Sequence, residues 1–159
     1  MLFSKVAGQD YLKKHFIQEI NSGKISHARL FLGHAGSGTL PLALGFVQYL
    51  FCRNKGSVDS CGQCDQCIKV SQLQHPDLHF SFPTVQAEAK FSREKLPEWR
   101  KHITENPYFN LKDWVSVIDP KGRNAIIGSE ESLEIVKALS LKSYEGSYKV
   151  MIIWCANDM

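Results

Sequence analysis

Apolar residues recur at helical spacing in four stretches of this chain, with shorter apolar runs between them. Leu12, Phe16, Ile17 and Ile20 fall on one face of a first helix, with Asp10 as its expected cap and Gly23 as its stop. Residues 28–32 form a short apolar strand that enters a glycine loop. Residues 39–51 follow as a helix that is apolar nearly all round, as expected of one covered by neighbours. Pro41 is tolerable there because it falls in the first turn.

A polar, cysteine-rich excursion at 52–67 breaks the alternation. Residues 77–82 read as a second strand ended by Pro83, and 97–106 as a helix with Trp99 and Ile103 on one side. Residues 114–118 alternate and read as a strand, closed by the turn Asp119-Pro120-Lys121-Gly122. Ser129 is expected to cap a helix with Leu133, Val136 and Leu139 inside, and 148–154 reads as a central strand. Strands separated by helices predict an α/β fold with a largely parallel sheet. A central strand this close to the last residue leads us to expect a piece of a longer protein.

Composition changes this picture little. The chain has 159 residues, enough for one domain with a real core, and its 43% hydrophobic and 22% charged residues are ordinary for a soluble protein. A net charge of +3 is too weak to announce a nucleic-acid surface. The longest apolar stretch, residues 40–52, is too short for a bilayer, and no secretory signal is visible, so a cytoplasmic location with reduced thiols is expected.

The first candidate chemistry is Cys52-x8-Cys61-x2-Cys64-x2-Cys67. Four thiolates at this spacing can surround one tetrahedral zinc in a closed, structural site. An iron–sulfur cluster and free thiols remain as rivals, whereas disulfides suit neither the compartment nor three cysteines within seven residues. Cys155 stands apart. His27 and His75-Pro76-Asp77 read as structural residues and a turn.

The second is Gly33-x4-Gly38, with Gly36 between, which has the spacing of a phosphate loop. A working loop places Lys and then Ser or Thr after the last glycine, to neutralise phosphate and ligate magnesium. Here Thr39 and Leu40 occupy those positions, and Pro41 offers no N–H. The glycines alone are equally consistent with a plain strand-to-helix turn. A later strand, Val150-Met151-Ile152-Ile153, ends in Trp154-Cys155, where an ATPase of this type carries Asp-Glu. No magnesium ligand or water-activating base is left at either place, so bound ATP is not expected.

The order of Gly8-Gln9, a His-Ala-x-Leu-Phe strand, the glycine loop, four cysteines, His-Pro-Asp and a Lys-Val-x-Ile-Ile strand resembles the clamp-loader subunits of bacterial DNA polymerase III, which are AAA+ proteins. The resemblance is clear over 3–79 and 129–159; residues 80–128 match nothing in the pattern. It implies a P-loop NTPase-like (AAA+) parallel sheet over residues 1–159, a RecA-like N-terminal domain with a zinc module inserted at 52–67. A lid and a C-terminal collar domain would lie beyond Met159. The Lys, Thr, Asp and Glu replaced by Thr39, Leu40, Trp154 and Cys155 match the delta-prime branch, which keeps the fold without hydrolysing ATP. The implied partners are other clamp-loader subunits in a hetero-oligomeric ring and, through that complex, the sliding clamp and primed DNA. The family's arginine finger would lie after the last strand, so no catalytic residue is assigned. A gamma/tau-type motor subunit with a divergent loop is the alternative, and a stand-alone DNA-binding zinc module a weaker third.

Overall fold

The computed structural model describes residues 1–159 and divides into two compact units, Met1–His75 and Pro76–Met159. The first unit is helical. Its α1 spans Asp10–Ser22, α2 spans Thr39–Phe51 and α3 spans Asp65–Ser71. The α2 sequence is apolar around its whole circumference, and its residues from Leu40 to Phe51 are all buried. A short 3-10 turn, Phe3–Lys5, covers one side and the Phe16, Ile17 and Ile20 face of α1 another. Phe16 meets Phe46 edge-on at 5.3 Å, and Phe3 meets Tyr49 at 5.9 Å. Gly45 permits the close approach of Phe3, because a Cβ at position 45 would lie 2.9 Å from the Phe3 ring.

The cap of α1 differs from expectation. Gln9 holds the N-cap position in a left-handed conformation, and Asp10 lies inside the first turn, where its charge meets the helix dipole. Gly23 ends the helix in the left-handed conformation, as predicted. The strand expected at 28–32 forms no ladder. Leu30 and Leu32 are 74% and 83% exposed, while the Arg29 guanidinium covers the rings of Phe16 and Phe46 at 4.9 and 4.8 Å. Strand identity depends on a hydrogen-bonded neighbour, and no other strand lies in this unit to provide one.

The second unit is built on two parallel strands, β1 (Leu78–Ser81) and β2 (Val150–Ile153), in the register Leu78↔Val150 to Ser81↔Ile153. The fold is thus α/β with a small parallel sheet. The last strand, expected to be central, pairs on one edge only and is half-buried. Its partner carries the buried Asp77 just before β1. This carboxylate accepts the backbone N–H groups of Tyr144 at 2.5 Å, Glu145 at 2.8 Å and Gly146 at 3.0 Å, and so fixes the loop that delivers β2.

An aromatic cluster fills the space beside the sheet. Trp99 on α4 (Leu96–Glu105) stacks on Phe82 at 4.1 Å and meets Trp114 edge-on at 5.1 Å. Residues 111–118 form a helix, α5 (Leu111–Ile118), where the alternation predicted a strand at 114–118. Trp114 and Ile118 are four residues apart, so one buried face fits either period; the cap decides. Asn110 accepts from the N–H groups of Lys112 and Asp113, and Asp113 returns a bond to the Asn110 N–H, closing a capping box.

The last helix, α6 (Ser129–Ser140), begins one residue after its N-cap, Gly128, so Ser129 is not the cap. Its rotation also differs from expectation: Leu133 and Val136 are 70% and 67% exposed, and Leu139 is exposed as well. Ile135 and Glu131 are buried instead. The Glu131 carboxylate accepts the buried Ser92 N–H at 3.2 Å, and Arg93 pairs with Glu134 at 2.7 Å. The buried Ser92–Glu131 bond keeps the Glu131 face of the helix inward.

Asp77→Ala is expected to destabilise the chain by about 3 kcal/mol, because three backbone donors lose a charged acceptor in a buried place. Urea denaturation followed by circular dichroism should show the midpoint falling accordingly, with Asp77→Asn intermediate. An unchanged midpoint would mean that the 144–146 loop is held by other contacts.

Candidate functional site

The four cysteines converge at the C-terminal end of α2. Cys52 is the residue that caps this helix, Cys64 occupies the N-cap of α3, and Cys67 lies on α3 itself. Cys61 comes from the intervening loop, where Gly62 takes a left-handed φ of 72° and allows the tight turn from Cys61 to Cys64. All four Sγ atoms lie within 4.8 Å of one another; Cys52 and Cys61 are 3.6 Å apart, and Cys61 and Cys67 3.9 Å. The Cys61 N–H points at Cys52 Sγ at 3.3 Å, and the Cys64 N–H at Cys61 Sγ at 3.4 Å. Asp59 anchors the loop by accepting from the N–H groups of Phe3 and Ser4 at 3.0 and 2.9 Å.

These distances test the possible occupants. With Zn–S bonds of about 2.3 Å, four sulfurs at tetrahedral corners stand about 3.8 Å apart. The cluster has that size, and the residues fit one tetrahedral ion. Cysteines on a four-iron cluster bind separate irons and so hold their sulfurs farther apart. No disulfide links any of the five cysteines. Without a metal the thiols divide by environment. Burial pushes Cys67 well above the ordinary thiol range and raises Cys52. Burial acts the same way on Cys64, but hydrogen bonds from the backbone of Cys67 and Arg53 outweigh it and lower that thiol to about 6. The backbone N–H groups of Gln63 and Cys64 lower Cys61. A metal would drive all four to thiolate.

The opposite end of α2 carries the glycine loop. Gly36 and Gly38 both adopt left-handed conformations, with φ of 77° and 86°, and Gly38 serves as N-cap of α2. The loop closes on itself. Ser37 donates its N–H to the His34 carbonyl at 3.0 Å, and a Cβ built on Gly33 would lie 2.2 Å from Ser37 Oγ and 2.8 Å from Thr39 Cγ2. Leu40 is buried in the core, where its side chain cannot ligate a metal. An open cavity of about 500 Å³ lies over the loop, lined in part by Gln9, Arg29, His34 and Thr39. Its Arg29 is already paired with Glu19 and lies over Phe16 and Phe46. Gly8 and Gln9 precede α1 as two consecutive left-handed residues.

Trp154 and Cys155 follow β2. The half-buried Trp154 indole packs against Trp99 at 5.2 Å and Phe109 at 4.8 Å, at the edge of the aromatic cluster. Cys155 is half-buried, with φ of 54°, and burial pushes its thiol up to about 11. It is therefore a neutral thiol at physiological pH and no substitute for a carboxylate. Of the histidines singled out in the sequence, His27 is exposed, whereas His75 is buried and bonded to Gln66. The anchoring roles of Asp59 and Asp77 had no signal in the sequence beyond the adjacency of Asp77 to His75-Pro76.

A family model described as "DNA polymerase III, delta subunit" matches residues 8–159, including the 80–128 segment that carried no recognisable motif. The chain is 35% identical over 90 residues to DNA polymerase III subunit delta' of Bacillus subtilis, covering 57% of this chain and 27% of that protein. It is 32% identical over 146 residues to DNA polymerase III subunit tau of Escherichia coli, covering 86% of this chain and 22% of that protein. The DNA polymerase III subunit gamma of Buchnera aphidicola is 32% identical over 105 residues, covering 66% of this chain and 27% of that protein. The chain thus spans about a quarter of the length of these relatives.

The chain is expected to bind a single zinc ion, released only slowly to chelators, and to give intense visible absorption when cobalt replaces it. Cys67→Ser should weaken binding by more than about a hundredfold, since losing a ligand exceeds losing an outer partner. Elemental analysis and chelator competition measure both. Recovery of iron with labile sulfide would overturn the single-ion site.

Proposed function

The chain belongs to the DNA polymerase III delta-subunit family, and from that premise we propose that it is part of a non-catalytic, delta-prime-type subunit of the clamp loader. In this reading residues 1–159 form the AAA+ N-terminal (RecA-like) domain, and a lid and collar domain follow. The subunit is a structural member of a hetero-oligomeric ring in the cytoplasm that places the sliding clamp on primed DNA. Zinc in the Cys52, Cys61, Cys64 and Cys67 site is structural: all four positions of the ion are filled by protein, leaving none for substrate.

One observation carries the reading: neither place where triphosphate chemistry needs charge supplies it. Thr39 is uncharged where the loop needs a cation, and Leu40, committed to the core, has no oxygen where magnesium needs a ligand. The single missing Lys removes charge-assisted bonds of about 1.5–3 kcal/mol each. Trp154 and Cys155 provide no magnesium ligand and no base after β2. Loss of the metal removes the main stabiliser of the charge that develops in phosphoryl transfer. The turn into α2 itself uses Gly36 and Gly38 in the left-handed conformation and leaves no room for a Cβ at Gly33, so these glycines do not by themselves call for a phosphate.

The alternative is a gamma/tau-type motor subunit. It is favoured by the retained glycines and by the long match to the tau subunit of Escherichia coli. It requires another cation at the loop; His34 is the nearest, and Arg29 is paired with Glu19.

Calorimetric titration of the full-length protein with magnesium and ATP separates the two. The scaffold reading expects no tight, magnesium-dependent binding and no phosphate release above background. Tight binding with turnover that disappears in Gly38→Val would establish the motor.

A further inference from the structure

The first and last cysteines of the cluster come from different helices, and one side chain touches the immediate neighbour of each. The His75 imidazole lies flat on Phe51, with ring centroids 4.2 Å apart and planes 3° from parallel. Phe51 is the last residue of α2 and directly precedes Cys52. The His75 Nε2 hydrogen-bonds Gln66 Oε1, and Gln66 lies on α3 directly before Cys67. Both His75 and Gln66 are buried, so water cannot replace either partner. The chain supports this placement. Leu73, with a left-handed φ of 55°, ends the turn after α3, and Pro76 restricts His75 to extended backbone.

We propose that His75 is a positioning residue of the metal centre, holding Cys52 and Cys67 in register through Phe51 and Gln66. The proposal rests on the reading of the four cysteines as a zinc site. A tetrahedral ion needs all four sulfurs at one separation. Two of them sit on helix ends that would otherwise shift independently, since α2 and α3 are joined by a long loop containing the other two. A flat ring against one helix and a directional bond to the other fix both the distance and the rotation of α3. Groups that touch metal ligands change metal affinity about 10- to 100-fold when removed, and His75, which acts through the residues next to two ligands, falls at the low end of that range.

Two substitutions delete the same bond from its opposite ends. His75→Phe keeps a ring over Phe51 and loses the bond, and Gln66→Leu removes the acceptor while favouring helix. Zinc affinity is measured by competition with a chromophoric chelator, and ligand geometry by the visible spectrum of the cobalt form. The measurements use the full chain carrying each substitution and both together. Each single variant is expected to bind zinc roughly tenfold more weakly with an altered cobalt spectrum. The double variant should lose clearly less than the two single losses added, because the His75–Gln66 bond is missing in all three. Wild-type affinity with an unchanged cobalt spectrum in the variants, or additive losses, overturns the positioning role, even if stability falls. Should His75→Phe not fold, Gln66→Leu alone decides. A wild-type chain that takes up neither zinc nor cobalt overturns the zinc reading and this inference with it.

Discussion

The constraint on which the first unit depends is the burial of α2 on every side. A helix with no polar face cannot lie on a surface, so the chain around it must supply cover: Phe3 before it, the apolar face of α1, and Val70 on α3. Each fully buried side chain such as Leu44 or Tyr49 contributes about 1.5–3 kcal/mol relative to exposure. With its sides committed to the core, the helix presents chemistry only at its two ends, and those ends carry the two motifs that stand out in the sequence.

The ends differ in what electrostatics they retain. At the C-terminal end four sulfurs are gathered to the dimensions of one ion, and burial holds two of the thiols, Cys52 and Cys67, in the protonated form, so a metal there must displace their protons. At the N-terminal end Gly36 and Gly38 keep the left-handed turn into α2, yet no Lys follows Gly38, and Arg29, which lines the cavity above, is paired with Glu19. The helix dipole alone is a weak attractor, worth about 0.3–1 kcal/mol near a surface. In the proposed reading the same helix would anchor a metal at one end and carry a phosphate loop without its chemistry at the other.

Much of this was legible from the residues. The cysteine spacing found the cluster, and the glycine spacing found the left-handed turn into α2. The helices at Asp10–Ser22, Thr39–Phe51 and Leu96–Glu105 fell where the apolar spacing placed them. Three failures have physical causes. The 114–118 segment alternates like a strand, but the reciprocal bonds of Asn110 and Asp113 cap a helix over it. In α6 the leucine pattern pointed one face inward, whereas the buried Ser92–Glu131 bond lies on another. The 28–32 run has strand composition without a strand beside it in its unit, and composition cannot create a ladder. Likewise the bracing contacts of His75 and Asp77 join residues distant in sequence, which periodicity cannot register.

Hydrogen exchange along α2, followed with zinc and with magnesium and ATP added separately, tests the asymmetry of its ends most directly. Zinc should slow exchange around Phe51, Cys52 and α3, and the nucleotide should leave residues 33–42 unchanged. Nucleotide protection of the glycine loop, with no response of the cysteine end to zinc, would contradict the account.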